Sequence, residues 1–98
     1  MIGSFEWDET KRERNIRDRK IDFIDIVPLF EGALVEVIDD RFDYGETRIK
    51  CFGELNGRVY VVVYTWRDEN RRIIENRRII SARKANAREQ RAYYTHHH

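Results

Sequence analysis

Apolar and polar residues alternate with two different periods along the chain, and the change of period falls near Gly32. Before that point, residues 5–7 alternate like a short edge strand, and Asp8 provides an N-cap for a helix that we expect to end near Arg19. Ile16 is the main apolar residue of this helix. The pattern therefore predicts a polar surface helix that packs through Ile16 and the aliphatic stems of its charged residues.

A second helix is predicted after Asp22, which is a favourable N-cap residue. Its apolar face combines Phe23, Ile26, Val27 and Phe30. Pro28 lies inside the segment and should kink or shorten the helix, because proline has no backbone N–H and its ring clashes with the preceding turn.

Strands are predicted after Gly32, over residues 33–38, 47–55, 59–66 and 79–84. Asn56-Gly57 predicts a type I′ hairpin turn, and residues 67–70 predict the next turn. In the last strand, simple alternation places Arg77, Ile79, Ser81 and Arg83 on one face and Arg78, Ile80 and Ala82 on the other. Asn86 and Glu89 form a capping box that begins a helix ending near Tyr94. The sequence therefore predicts an α+β fold with two N-terminal helices, a three- or four-stranded antiparallel sheet and a C-terminal helix.

The chain of 98 residues has the length of one domain, to which we assign residues 1–95. The final run His96, His97 and His98 is interpreted as the remnant of an affinity tag. The hexapeptide ENRRII occurs twice, at 69–74 and 75–80, and its even length keeps every following strand residue on its original face. Cys51 is the one cysteine, and the sequence shows neither a membrane span nor a signal core, so we expect a cytoplasmic protein.

Charge is distributed unevenly along the chain, although the formal net charge is only +1. Residues 1–66 carry ten basic and fourteen acidic side chains, whereas residues 67–98 carry nine basic and four acidic ones. A further basic run, residues 11–20, has six basic and two acidic side chains. Ordinary solvated helix faces explain the two basic segments more simply than polyanion binding does, and polyanion binding stays open as the alternative.

The amino-acid composition excludes several kinds of active site. Outside the terminal run there is no histidine, which excludes a histidine general base and a Ser-His-Asp triad. One cysteine without histidine also excludes a structural zinc site, and no phosphate-binding glycine motif is present, so we expect neither a metal nor a cofactor. The acidic residues Asp39, Asp40 and Asp43 are interpreted as a solvated turn in preference to a cation site.

Arginines near the end of the chain remain as candidates for chemistry. Arg83, Arg88 and Arg91, with a tyrosine nearby, suit a phosphate and a stacked unpaired base. The alternative is an ordinary basic helix that Tyr93 or Tyr94 docks onto the sheet. RNA carries its own nucleophile, the 2′-OH, so cleavage requires only a base, positive charge around the phosphorane and an acid. Because arginine is a poor base, a tyrosinate, a desolvated lysine or a carboxylate would accept the proton.

Motifs along nearly the whole chain resemble the BrnT family of bacterial type II toxins, which are similar to RelE-type ribonucleases in fold. The matching residues are Phe5-Glu6-Trp7-Asp8, Asn15, Gly45-Glu46-Thr47-Arg48, Val61 to Thr65 with Arg67, Ile79 to Ala85, and Arg88-Glu89 through Arg91 to Tyr93-Tyr94. The chain departs from the family where Lys-His-Gly often follows the first helix, because it has Asp18-Arg19-Lys20 there. A role for that histidine is therefore not transferred, and Arg19 or Lys20 would have to substitute.

The resemblance implies a metal-independent endoribonuclease that inhibits translation. It also implies a DNA-binding antitoxin of the BrnA type, which neutralises the toxin and forms a repressor complex with it. The candidate catalytic residues that follow are Arg83, Arg67, Tyr94, Arg48, Glu46 and Lys20, with Arg88, Arg91 and Lys84 as RNA-binding residues. Two alternatives stay open at this stage: a non-catalytic nucleic-acid-binding module acting with a protein partner, and a purely structural interaction protein.

Overall fold

A five-stranded mixed sheet forms the centre of the structure, a computed structural model that describes residues 4–41, 43–67 and 76–96. The elements are β1 (Ser4–Trp7), α1 (Glu9–Arg19), α2 (Phe23–Ile26), a 3₁₀ helix (Val27–Glu31), β2 (Leu34–Asp39), β3 (Arg48–Leu55), β4 (Arg58–Trp66), β5 (Asn76–Lys84) and α3 (Ala87–His96). The α+β class and the order of the helices agree with the prediction. The predicted three- or four-stranded antiparallel sheet was wrong: the strand order is β1-β5-β4-β3-β2, and β1 runs parallel to β5.

The first helix meets β5 along the edge that the short strand β1 leaves open. β1 pairs only with Asn76–Ile79, so the rest of β5 needs another partner for its backbone groups. Asn15 of α1 supplies one, because its side-chain oxygen accepts a hydrogen bond from the backbone N–H of Ala82 at 3.2 Å. Asn15 is therefore buried, at 6% exposure, whereas Ile16 is 36% exposed. The prediction that Ile16 packs this helix was wrong.

The second helix is shortened at the predicted place. Asp22 caps α2, and its side chain accepts a hydrogen bond from the backbone N–H of Ile24. After one turn the chain continues as the 3₁₀ helix, which has Pro28 near its start. A 3₁₀ turn accommodates proline here because the first N–H groups of a helix have no intrahelical partner.

Each face of the sheet has its own hydrophobic core. On the first, the α2 face, strand residues such as Cys51, Val62 and Ala82 pack with residues of α2 and the 3₁₀ helix, including Phe23 and Leu29. On the second, the α3 face, the core combines Val59, Val61 and Ala85 with Tyr93 of α3 and the partly buried Val35 and Phe52. The α3 face is less completely covered, because a single helix packs on it.

A β-bulge in β5 changes the faces on which its arginines lie. Val63 pairs with Ser81 whereas the next residue, Tyr64, pairs with Ile79, so Ile80 is an extra residue without a partner on β4. The bulge places Ile79 and Ala82 in the same α2-face core. The predicted uninterrupted alternation was therefore wrong: Arg77 packs among aromatic rings of the α2 face, and Arg83 lies on the α3 face.

The β3–β4 and β4–β5 hairpins differ in how far their turns are described. Asn56 and Gly57 form a two-residue turn with φ of 53° and 79°, the positive values that a type I′ turn requires, so the predicted turn is confirmed. In the second hairpin, the backbone N–H of Arg67 donates to the carbonyl of Asn76 at 2.8 Å. The turn predicted at 67–70 and the first ENRRII copy lie largely outside the described residues.

None of the helices within residues 4–41, 43–67 and 76–96 combines the length and apolar composition that crossing a bilayer requires.

Candidate active site

Five charged side chains meet on the α3 face, and we call them the charged cluster: Asp39, Arg41, Lys50, Arg83 and Glu89. They come from the end of β2, the segment after it, the middle of β3, β5 and the first turn of α3. Three cations and two carboxylates give the cluster a net charge of +1. Oppositely charged groups of this kind are the material from which metal-free phosphate sites are built.

The Arg83–Glu89 pair has the shortest hydrogen bonds of the charged cluster. The two terminal nitrogens of Arg83 donate to the two carboxylate oxygens of Glu89 at 2.7 and 2.8 Å. Glu89 also completes the predicted capping box, since its carboxylate accepts from the N–H of Asn86 and Asn86 caps the N–H of Glu89. The hydrogen bonds from Arg83 lower the pKa of Glu89 to about 2. Glu89 is therefore ionised in the free protein at neutral pH.

Lys50 links this pair to a second one. Its ammonium nitrogen lies 4.0 Å from the Glu89 carboxylate, and it projects from the strand between β2 and β4. Asp39 and Arg41 form the other pair, with two hydrogen bonds of 2.9 and 3.1 Å. The bonds from Arg41, together with the charge of Lys50, lower the pKa of Asp39. Lys50 is thus a cation shared by two carboxylates.

The candidates Arg48 and Glu46 lie beside the charged cluster, at the start of β3. A terminal nitrogen of Arg48 is 4.0 Å from the Glu46 carboxylate, and its guanidinium lies over the ring of Tyr44 at 3.9 Å from the centroid. Arg48 is paired with Asp39 in the sheet register. Among the residues the structure describes, its buried Nε has no hydrogen-bond partner. On β3, Arg48 lies two residues before Lys50, which is about 7 Å along the strand.

Four further candidates lie on or near α3 without joining the charged cluster. The hydroxyl of Tyr94 donates to Glu54 at 2.8 Å, and this bond raises the pKa of Tyr94, which makes a tyrosinate less accessible. Arg88, Arg91 and Lys84 are exposed. Arg88 lines a groove between α3 and the edge of the sheet. Two of these residues are sequence neighbours of the cluster, since Lys84 follows Arg83 and Arg88 precedes Glu89.

Arg67 and Lys20 both lie away from Arg83. Arg83 pairs with Val61 in the sheet, so Arg67, which follows the last residue of β4, is six residues further on and roughly 20 Å from Arg83 at the rise of a strand. This is the end of the sheet at which β3 begins with Arg48. Lys20 caps α1 in the left-handed conformation, with its ammonium bound to the carbonyl of Arg17 at 3.0 Å. The next residue, Ile21, packs in the α2-face core.

Three residues of the charged cluster were not predicted as site residues from the sequence: Lys50, Arg41 and Glu89. For Lys50 a signal exists, because the alternation of β3 places it on the same sheet face as Phe52 and Arg48. Glu89 was recognised only as a helix cap. Its second role depends on Arg83, which the bulge at Ile80 places on the opposite face of the sheet from Arg77.

Arg77 is a buried arginine on the opposite side of the sheet. Its guanidinium carbon lies 4.5 Å from the centroid of Trp66, 4.8 Å from Phe30 and 5.2 Å from Tyr64. Cation–π contacts with several rings stabilise a desolvated guanidinium. At 9% exposure it contributes to the core and not to the charged cluster.

The basic run in α1 borders a separate cleft of about 260 Å³ beside the bulge of β5. The basic residues that line it are Lys11, Arg14 and Arg19. The other arginines of the helix are already paired, Arg12 with Asp22 and Arg17 with Asp18. This part of the predicted polyanion surface therefore carries fewer available charges than the sequence count indicates.

Comparison with known proteins places this geometry in a family. The family described as "Ribonuclease toxin, BrnT, of type II toxin-antitoxin system" matches residues 7–89, which include the whole charged cluster. A search of curated proteins finds no match. Among solved structures, the chain is similar to the Brucella abortus ribonuclease toxin BrnT, solved at 1.1 Å resolution. The two share 26% sequence identity over 86% of this chain and 97% of that one, with a TM-score of 0.62. Because the family match spans most of the chain, the protein belongs to the BrnT family of ribonuclease toxins of type II toxin–antitoxin systems.

Proposed function

We propose that this protein is a metal-independent endoribonuclease that cleaves RNA, inhibits translation and is neutralised by a BrnA-type antitoxin. The observation that carries the proposal is the Arg83–Glu89 pair with Lys50 beside it. It combines a guanidinium that can bind two phosphate oxygens, a second cation and a carboxylate within one hydrogen-bonded group. Family membership supplies the reaction class, and the charged cluster supplies groups suited to it.

The chemistry begins with an exchange of partners at Arg83. A phosphodiester that binds the guanidinium replaces Glu89, and the pKa of Glu89 then rises because its strongest stabilising contact is lost. The freed carboxylate accepts the proton of the 2′-OH as the 2′ oxygen attacks phosphorus. Arg83 and Lys50 stabilise the negative charge of the phosphorane. The bond from phosphorus to the 5′ oxygen breaks, and Lys50 donates a proton to that oxygen, leaving a cyclic phosphate and a 5′-OH.

The test compares two arginines of β5 that are both ion-paired to a glutamate. Arg83→Ala should lower RNA cleavage in excess EDTA roughly 100-fold or more, the effect typical of removing one transition-state donor. Arg78→Ala removes the matched pair with Glu6 (3.1 Å) and should leave cleavage within about threefold. Circular dichroism verifies that both variants fold. Intact RNA at a high excess of wild-type protein, or unchanged cleavage by folded Arg83→Ala, would refute the proposal.

Translation and partner binding are tested separately. The protein should arrest a cell-free translation reaction, and Arg83→Ala should not. Co-purification from the native operon should recover an antitoxin that restores translation in the same reaction. We further propose that this antitoxin binds DNA and forms a heteromeric repressor with the toxin, which electrophoretic mobility shift on the operon's promoter can detect.

A non-catalytic RNA-binding module is the second candidate function. The low pKa of Glu89 favours it, because a carboxylate with a pKa of about 2 is a weak base until Arg83 is withdrawn. Binding that weakens steeply with salt, combined with RNA that stays intact, would support this alternative.

A further inference from the structure

An apolar groove of about 280 Å³ runs beside the charged cluster on the α3 face. It lies between α3 and the β2–β3 edge of the sheet, and its apolar walls are Val35, Val37, Phe52, Ala92 and Tyr93. Arg88, Glu89 and the terminal-run residue His96 line it as well. Glu89 therefore belongs both to the groove and to the charged cluster, and the two sites share one side chain as their boundary.

We propose that this groove holds an unpaired nucleobase of an RNA strand whose phosphate lies at Arg83 and Lys50. The inference rests on the proposed function, since it places the phosphate at the charged cluster. A nucleotide consists of an anionic phosphate and, one sugar away, a flat ring with apolar faces. The chain presents the matching surfaces in the same order: two cations, Glu89 as the boundary, then an apolar groove.

Size and lining both suit one base. The volume lies near the lower end of small-molecule pockets, ~300 Å³, which is small for a peptide helix or several bases. Phe52 is partly buried in the sheet, and the ammonium of Lys50 lies 5.6 Å from its ring centroid. The ring is therefore placed between the phosphate-binding cation and the groove, where an aromatic side chain can stack on a base. Arg88, exposed on the rim, complements the charge of a neighbouring phosphate.

Single-stranded RNA follows as the substrate class. A base within a duplex is stacked and paired, and it would have to leave the helix before it could enter the groove. Because the groove walls are mostly apolar, they bind the faces of a base and provide few groups that distinguish one base from another. We therefore expect strong selection against duplex RNA and only modest sequence preference.

Two adjacent residues of β2 provide a matched pair of variants. Val37 lines the groove and is 49% exposed, whereas Ile38 is 68% exposed and does not line the groove; both residues border a shallow surface on the other side of the strand. Val37→Asn and Ile38→Asn each replace an exposed apolar side chain by a neutral amide. Val37→Asn should lower kcat/KM for a single-stranded oligonucleotide at least fivefold, and Ile38→Asn should change it less than twofold. Phe52→Leu, which keeps an apolar side chain and loses the ring, should resemble Val37→Asn.

Base stacking is measured independently of cleavage with a 2′-O-methyl oligonucleotide that contains one 2-aminopurine. Binding to the wild type should quench its fluorescence, and Val37→Asn and Phe52→Leu should weaken the quenching while Ile38→Asn retains it. Equal quenching by all variants, or none by the wild type, overturns the groove proposal whether or not RNA is cleaved. Conversely, if the wild type quenches the fluorescence but does not cleave ordinary RNA, the nuclease proposal is refuted and the groove proposal stands. If Val37→Asn weakens only antitoxin binding, the groove is a protein-docking surface and the proposal fails.

Discussion

Asn15 offers the most direct test of how α1 is held against β5. Its side-chain nitrogen donates to the carbonyl of Ile21 at 2.9 Å, and its oxygen accepts from the backbone N–H of Ala82 at 3.2 Å. One buried amide therefore satisfies two main-chain groups, one at the end of α1 and one at the open edge of β5. Replacing Asn15 by Ala leaves both groups without their partner and introduces no charge.

The size of the effect follows from these two bonds. A buried polar group that loses its partner costs about 1–3 kcal/mol, so the loss of two partners in Asn15→Ala should lower the free energy of unfolding by about 2–6 kcal/mol. For a domain of this length, each kcal/mol shifts Tm by roughly 4–8 °C. Asn15→Asp is a sharper variant, because a carboxylate still accepts from Ala82 but cannot donate to Ile21. Its destabilisation should diminish at low pH, where the protonated acid can donate again.

Urea unfolding followed by circular dichroism measures the change, with Arg14→Ala as the control. Arg14 is the preceding residue, is exposed and forms no ion pair with any residue that the structure describes, so its removal should cost less than about 0.5 kcal/mol. If the free energies of unfolding of Asn15→Ala and Arg14→Ala differ by less than about 0.5 kcal/mol, the hydrogen bonds to Ala82 and Ile21 do not hold the helix.

Three further substitutions test the core and the electrostatics. Gly53→Ala should lower the free energy of unfolding in urea by about 1–3 kcal/mol, because the added Cβ would lie 2.5 Å from a methyl group of buried Leu29. Gly32→Ala is the control and should leave the stability unchanged, because the nearest atom to its Cβ would be 3.7 Å away. The pKa of Glu89 falls from 4.5 to about 2 on folding. The ionised carboxylate therefore stabilises the folded protein fully above about pH 4.5, and this contribution is lost as the pH falls toward 2. Thermal unfolding of Glu89→Gln and the wild type should therefore converge as pH falls over this range, and a constant difference would contradict it. Burial raises the pKa of Cys51 to about 12, so thiol reagents should label it only as fast as the protein unfolds; rapid labelling under native conditions would contradict its burial.

Local signals in the sequence predicted the starts of the three α-helices and one turn correctly. Asp8 and Asp22 cap their helices, and Asn86 with Glu89 forms the capping box. Each of these motifs works through hydrogen bonds between residues two or three positions apart, so a short stretch of sequence contains all the information required. The same holds for Asn56-Gly57, whose conformation depends on the two residues themselves.

Pairings between residues far apart in the sequence could not be predicted from such local motifs. The parallel pairing of β1 with β5 joins residues about seventy positions apart, as in Ser4 with Asn76. The bulge at Ile80 depends on the register between β4 and β5, and an alternation rule has no means of locating the extra residue. That single residue determines that Arg83 faces α3 and Arg77 faces α2.

Only part of the candidate site was predicted, again because pairings between distant residues decide which side chains meet. Resemblance to the BrnT family directed attention to Arg83, Arg48 and Glu46, which lie in or beside the charged cluster. It also selected Arg67, which follows the end of β4 and lies roughly 20 Å from Arg83, at the end of the sheet where β3 begins. Lys50 went unselected because its importance depends on which side chains the neighbouring strands and α3 bring next to it. The roles of all these residues remain predictions for the cleavage assays.

The duplicated hexapeptide leads to a last prediction, about the connection between β4 and β5. The backbone N–H of Arg67 already donates to the carbonyl of Asn76, as the flanking pair of a two-residue hairpin would. Replacing residues 68–75 by Asn-Gly, the dipeptide that turns the β3–β4 hairpin of this chain, should therefore keep the register of β5. Closing a two-residue turn in place of an eight-residue connection saves about 1 kcal/mol of loop entropy, so Tm should stay equal or rise, and cleavage should persist because the charged cluster is untouched. Loss of folding in this variant, measured by circular dichroism, would mean that the sheet requires the duplicated segment for more than closing the hairpin.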